Sequence, residues 1–139
     1  MSAEANTGTV LDRILEARRA AVDHRKRALP ETALKYGVAA ASPLRDFTGA
    51  ISRSGKLKVL AELKPASPSR GVLRDPFDPI GLGSDLNGAG AAALSVLTEP
   101  EFFNGSLKNL RDARGHIPLP VLRKERYLMG PSVTAGGEV

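Results

Sequence analysis

The chain has 139 residues, 42% of them apolar and 25% charged, which suits one soluble globular domain with its own core and is too short to expect two. It has no cysteine, which excludes disulfides, thiolate metal sites and a cysteine nucleophile, and its formal charge of +5 suits an anionic partner. No stretch is apolar enough for a membrane helix, and Glu4 and Asp12 replace the basic-then-apolar opening of an export signal, so a cytoplasmic protein without membrane contact is expected.

From residue 9 to 29, Val10, Leu11, Ile14, Leu15, Ala17, Ala21 and Val22 recur at helical spacing, with Thr7 or Thr9 as the cap and Pro30 as the stop. Arg25, Lys26 and Arg27 close that helix, where cations suit the helix dipole. A short helical stretch near Leu34, a break at Ser42-Pro43 and another stretch around Phe47 follow as satellite helices. Residues 1–57 are therefore expected to form a helical extension ahead of the main domain.

KVLAELK at 58–64 is rich in Val and Leu and alternates imperfectly, which predicts a strand, with its loop at 65–74. Asp78 before Pro79 is the cap-then-proline order of a helix start, so a helix is expected from 79 towards 87, weakened by Gly81, Gly83 and Gly88. AAALSVL at 91–97 is almost wholly apolar, as for a parallel strand covered on both faces. A loop at 98–105 leads to a capped amphipathic helix at 106–114, and PLPVLRK at 118–124 gives a third strand ending on cations. Strands alternating with helices predict an α/β fold with right-handed βαβ units and a parallel sheet. Beyond Lys124 no pattern continues, and 125–139 is expected to be a frayed tail.

In parallel α/β folds, ligand-binding and catalytic groups gather at the carboxyl ends of strands, where Glu62, Lys64 and Lys124 fall. Residues two apart on a strand share a face, so Glu62 and Lys64 project together. Such a pair is either an ordinary ion pair or the start of a site in which lysine holds an anion or donates a proton. Gly81 and Gly83 do not continue into a dinucleotide fingerprint, no Walker loop is present, and His24 and His116 have no partners at metal-ligand spacing. The basic residues are spread among acids, and with 4% aromatics and no Trp the chain has little to stack on bases, so specific nucleic-acid binding is not expected.

VLAELK (59–64), ASPSRG (66–71), GAAALSVLT (90–98), FFNGSL (102–107) and LPVLRK (119–124), in this order, closely resemble the first part of indole-3-glycerol phosphate synthases. The amphipathic first helix and LRDF at 44–47 resemble that family's N-terminal extension. The resemblance implies a (β/α)8 TIM barrel with added helices and a place in tryptophan biosynthesis. It also implies decarboxylating ring closure of 1-(2-carboxyphenylamino)-1-deoxyribulose 5-phosphate, a phosphorylated small molecule, with no metal or organic cofactor. By that resemblance Lys124 is the general acid towards the substrate carbonyl, Lys64 engages anionic groups and assists proton transfer, and Glu62 orients it. Ser67 and Phe103 match substrate-lining positions, a polar contact and an apolar wall.

A (β/α)8 barrel takes about 250 residues, whereas 58–124 holds recognisable sequence for three of its strands. Glu125-Arg126 stands where the family pattern has Asp-Phe, so a shortened family member, a partial barrel, is expected. Its open sheet edges are expected to favour self-association or pairing with a complementary chain.

Overall fold

The computed structural model describes residues 8–125, which fall into two compact units, 8–41 and 42–125. In the first unit, α1 (Val10–Ala28) and α2 (Glu31–Ala40) are separated by Pro30. Thr9 caps α1 reciprocally: the Asp12 amide donates to its hydroxyl at 3.2 Å, and its own amide donates to the Asp12 carboxylate at 2.9 Å. Arg25, Lys26 and Arg27 occupy the last turn, as the sequence pattern predicts.

The second unit starts with α3 (Phe47–Ser52), capped by Asp46 through the Gly49 amide. It continues as β1 (Leu60–Leu63), a small antiparallel hairpin of β2 (Ala66–Ser67) and β3 (Gly71–Val72), and α4 (Pro79–Gly88). Then come β4 (Ala93–Leu97), the short α5 (Pro100–Phe103), α6 (Leu107–His116) and β5 (Val121–Lys124). The three longer strands form a parallel sheet in the order β1-β4-β5, the arrangement expected of successive βαβ units. This is a partial α/β assembly of helices and a small sheet, and no closed barrel is present among the described residues.

Strand alternation sorts the sheet into two faces. Ala61 and Leu63 of β1 with Leu94 and Val96 of β4 pack against Leu110 and Ala113 of α6 and against Ile117, all buried. Gly83 lets α4 approach this core, since a Cβ there would lie 2.9 Å from Ile117 Cγ1. The opposite face carries Leu60 and Glu62 on β1, Ser95 and Leu97 on β4, and Leu122 and Lys124 on β5. Every residue of β4 is buried, Ser95 included, matching its almost wholly apolar run, whereas Leu60 and Leu122 on the flanking strands remain 44% and 42% exposed.

Arg45, in the LRDF stretch, fastens the segment ahead of α3 to the turn that leads into β5. Its guanidinium donates to the carbonyls of Ile117 at 2.7 Å, Arg114 at 2.8 Å and Leu119 at 2.9 Å. These are the orphan acceptors of the α6 terminus and the connection after it, and Arg114 returns a bond to the Pro43 carbonyl at 3.3 Å. LRDF therefore belongs with the sheet-bearing unit, which begins at Ser42.

Two segments expected as plain loops have structure of their own. The 65–74 loop contains the β2–β3 hairpin, and the 98–105 loop contains α5. The strands are shorter than expected: 58–59 and 118–120 precede β1 and β5, although the Val59 and Pro120 carbonyls already accept the amides of Ala92 and Leu94 at 2.9 Å. Of the expected frayed tail, only Glu125 lies within the described residues, and it is buried.

Candidate active site

β1 and β5 flank β4, and their carboxyl ends deliver three charged side chains to the face opposite α4 and α6. Glu62 sits in register with Ser95, while Lys124 sits in register with Leu97, one pleat further along the same face. Glu62 can therefore reach diagonally across β4. Lys124 Nζ donates to Glu62 Oε2 at 2.6 Å, and Lys64 Nζ lies 3.6 Å from Glu62 Oε1. One carboxylate is thus shared by two ammonium groups from opposite edges of the sheet.

The cluster is open enough to meet a ligand: the side chains of Glu62, Lys64 and Lys124 are 28%, 37% and 52% exposed. Ion pairs this accessible contribute about 0–1 kcal/mol to stability, so the triad is not what holds the sheet together. Chemically it leaves one positive charge in excess, with proton donors held in place by the shared acid. Such a group can attract an anion and direct an N–H towards a developing oxyanion.

Ser67 lies in β2 and is buried, with its hydroxyl 3.4 Å from that of Ser69. Phe103 ends α5 and is half-buried. α5 packs against β2, so the loops bearing Ser67 and Phe103 are brought side by side, both beyond the strand ends that carry the triad. The structure joins Glu62, Lys64 and Lys124 by direct contact, whereas it puts Ser67 and Phe103 on neighbouring elements.

The placement of Phe103 depends on Glu99, which the sequence reading leaves within a loop. This carboxylate, 1% exposed, accepts the amides of Glu101 at 3.0 Å, Phe102 at 2.7 Å and Phe103 at 3.2 Å. It thereby satisfies the first turn of α5, and the acid-before-proline order of Glu99-Pro100 is the signal that points to it. Gly105 then allows the chain to turn back tightly: its amide donates to the Glu99 carbonyl at 2.8 Å, and a Cβ there would fall 2.3 Å from the Leu97 carbonyl oxygen.

Behind Lys124, on the helix-facing side, Arg123 donates to Glu125 at 2.8 Å and to the Thr98 hydroxyl at 3.4 Å. The Thr98 amide donates to the Lys124 carbonyl at 3.1 Å. These bonds fix the carboxyl end of β5 against that of β4. Glu125, which departs from the family pattern, thus has a definite place next to the candidate site. Among the described residues no group of three or more His, Cys, Asp or Glu is arranged to hold a metal ion. No described helix is long and apolar enough to cross a membrane.

Comparison with known proteins gives this arrangement a lineage. Residues 11–132 match the family model described as indole-3-glycerol phosphate synthase. The chain is 41% identical over 129 residues to the indole-3-glycerol phosphate synthase of Roseiflexus sp. (strain RS-1), covering 88% of this chain and 48% of that protein. It is 46% identical over 119 residues to the Burkholderia ambifaria (strain MC40-6) synthase, covering 84% of this chain and 45% of that one. The chain thus spans about half the length of the curated relatives it matches. A family match over most of the sequence, on a parallel sheet whose strand ends carry the acid and both lysines, places the chain in the indole-3-glycerol phosphate synthase family.

Proposed function

We infer that this chain carries the first- and third-strand part of an indole-3-glycerol phosphate synthase site. The reaction is ring closure of 1-(2-carboxyphenylamino)-1-deoxyribulose 5-phosphate to indole-3-glycerol phosphate, with release of carbon dioxide and water. The observation that carries this reading is the shared carboxylate: Glu62 within 2.6 Å of Lys124 Nζ and 3.6 Å of Lys64 Nζ at the strand ends.

In this reading Lys124 is the general acid. Its Nζ donates a proton to the substrate's ketone oxygen as the ring carbon attacks, removing the charge that would otherwise build there. Lys64 holds an anionic group of the substrate and assists the later proton transfer that accompanies loss of water. Glu62 aims both ammonium groups, accepting the hydrogen bond of Lys124. Ser67 supplies a polar contact, and Phe103 an apolar wall for the aromatic ring. The chemistry calls for neither a metal nor an organic cofactor, as the resemblance implies.

The test is product formation followed by indole fluorescence, with wild type and Lys124→Ala compared. General acid catalysis contributes about 10²–10⁴-fold, so the variant should lose at least about a hundredfold. An active wild type with an equally active Lys124→Ala would remove Lys124 from the mechanism.

A second reading is favoured by one feature, the exposure of Leu60 and Leu122 on the face that also bears the triad. On that reading the chain is a non-catalytic half-barrel that acts by association. Its defining result is a stable assembly that forms no product.

A further inference from the structure

Lys124 is the last residue of β5, and strand ends are where a sheet is held least. The rung that closes the β4–β5 ladder is the Thr98 amide, donating to the Lys124 carbonyl at 3.1 Å. The Thr98 hydroxyl meets the same carbonyl at 3.5 Å and receives Arg123 Nε at 3.4 Å. A hydroxyl has one proton to give and lone pairs to accept with, so one orientation serves both contacts, donating to Lys124 and accepting from Arg123. Both are long. The short bond of the group is the charge-assisted one, from Arg123 Nη2 to Glu125 Oε2 at 2.8 Å.

That bond constrains the residue between its partners. In an extended chain, residues two apart share a face and the one between them projects from the other. Arg123 paired with Glu125 therefore keeps the backbone extended through Lys124 and sends the Lys124 side chain to the opposite face, where it meets Glu62. A turn at Lys124 would part the pair. Arg123 and Glu125 are also well buried, with side chains 13% and 4% exposed. A buried ion pair adds little stability over apolar residues of similar size, because desolvation offsets the attraction, but it does select one arrangement of its partners.

We propose that Arg123, Glu125 and Thr98 are positioning residues for Lys124. From the helix-facing side they hold β5 extended to its end and so deliver the Lys124 ammonium to Glu62. The proposal deepens the reading of Lys124 as general acid and takes its catalytic meaning from it, whereas the geometry it asserts is measurable without turnover.

The experiment is competitive acetylation of the full 139-residue chain with trace acetic anhydride at neutral pH, each lysine being read by peptide mass spectrometry and normalised to Lys35, an exposed lysine of α2. Arg123→Met/Glu125→Leu replaces the buried pair by apolar side chains, a change that folded proteins tolerate. An amine reacts in proportion to the time it spends free of its acceptor, so this variant should raise Lys124 labelling at least about threefold. Lys64, which reaches Glu62 from β1, should stay unchanged. Thr98→Val keeps the amide rung and removes the hydroxyl, so it should raise Lys124 labelling by less, and Thr98→Ser should restore it. Glu62→Ala removes the acceptor of both lysines and should raise both.

Equal Lys124 labelling in wild type and in both the Arg123→Met/Glu125→Leu and Thr98→Val variants would overturn the proposal. So would a rise of Lys64 in step with Lys124 in those variants, which marks general loosening of the fold, or a Glu62→Ala chain that leaves Lys124 labelling unchanged. Product formation is read separately: selective release of Lys124 in a chain that makes no product supports the positioning and contradicts the catalytic reading.

Discussion

Glu62 answers to two cations, so removing its charge should affect chemistry far more than folding. Glu62→Gln is expected to change stability by less than about 1 kcal/mol in urea unfolding, the scale of an accessible ion pair. Product formation should fall at the same time, because Lys124 loses the acceptor that aims it. A loss beyond about 3 kcal/mol would instead mark the triad as a buried structural pair. Glycines give a sharper contrast. Gly105→Ala drives a Cβ against the Leu97 carbonyl oxygen, where the clash is with backbone and nothing flexible can yield, so a loss of about 1–3 kcal/mol is expected. Gly37→Ala, inside α2 with no described atom within 4 Å of the added Cβ, should stabilise by about 0.5–1 kcal/mol. The same denaturation series checks both, and equal signs would contradict the packing described around the strand ends.

At the scale of elements, two short segments are held by single side chains. Arg45→Met removes three hydrogen bonds to the α6 terminus and the turn into β5. Faster amide exchange at 117–121, and a loss of about 1–3 kcal/mol, should follow; unchanged exchange there would show that the clamp is dispensable. Glu99→Ala strips the first turn of α5 of its acceptor, so Phe103 should lose its fixed position at a cost of about 2 kcal/mol. These elements also mark where sequence reading reaches its limit. The apolar run 91–97 and the periodic first helix are legible because each repeats one local preference over many residues. α5 spans four residues and the β2 and β3 strands two each, too short to set a period, and they exist through Glu99 and through pairing across the loop. Likewise the Glu62–Lys64 pair is visible as spacing on one strand, whereas Glu62–Lys124 joins residues 62 positions apart and follows only from parallel register. Arg45 carries no local signal at all, because its partners are carbonyls 69–74 residues downstream.

In the sheet-bearing unit a small core lies between the sheet and α4 and α6, and among the described residues the opposite sheet face is only partly covered. Stability of the isolated chain should accordingly be marginal and dependent on concentration. A cooperative, concentration-independent melt above about 45 °C, ordinary for a mesophile domain, would contradict this. The central claim is that the strand-end lysines work as part of an indole-3-glycerol phosphate synthase site. It is tested most directly by indole fluorescence on the chain assembled with the remaining portion of a family member, wild type against Lys124→Ala, with 1-(2-carboxyphenylamino)-1-deoxyribulose 5-phosphate as substrate. Product formation by wild type and at least about a hundredfold loss in the variant is the predicted result. An assembled complex that forms no product, or one whose turnover is indifferent to Lys124, would contradict the account.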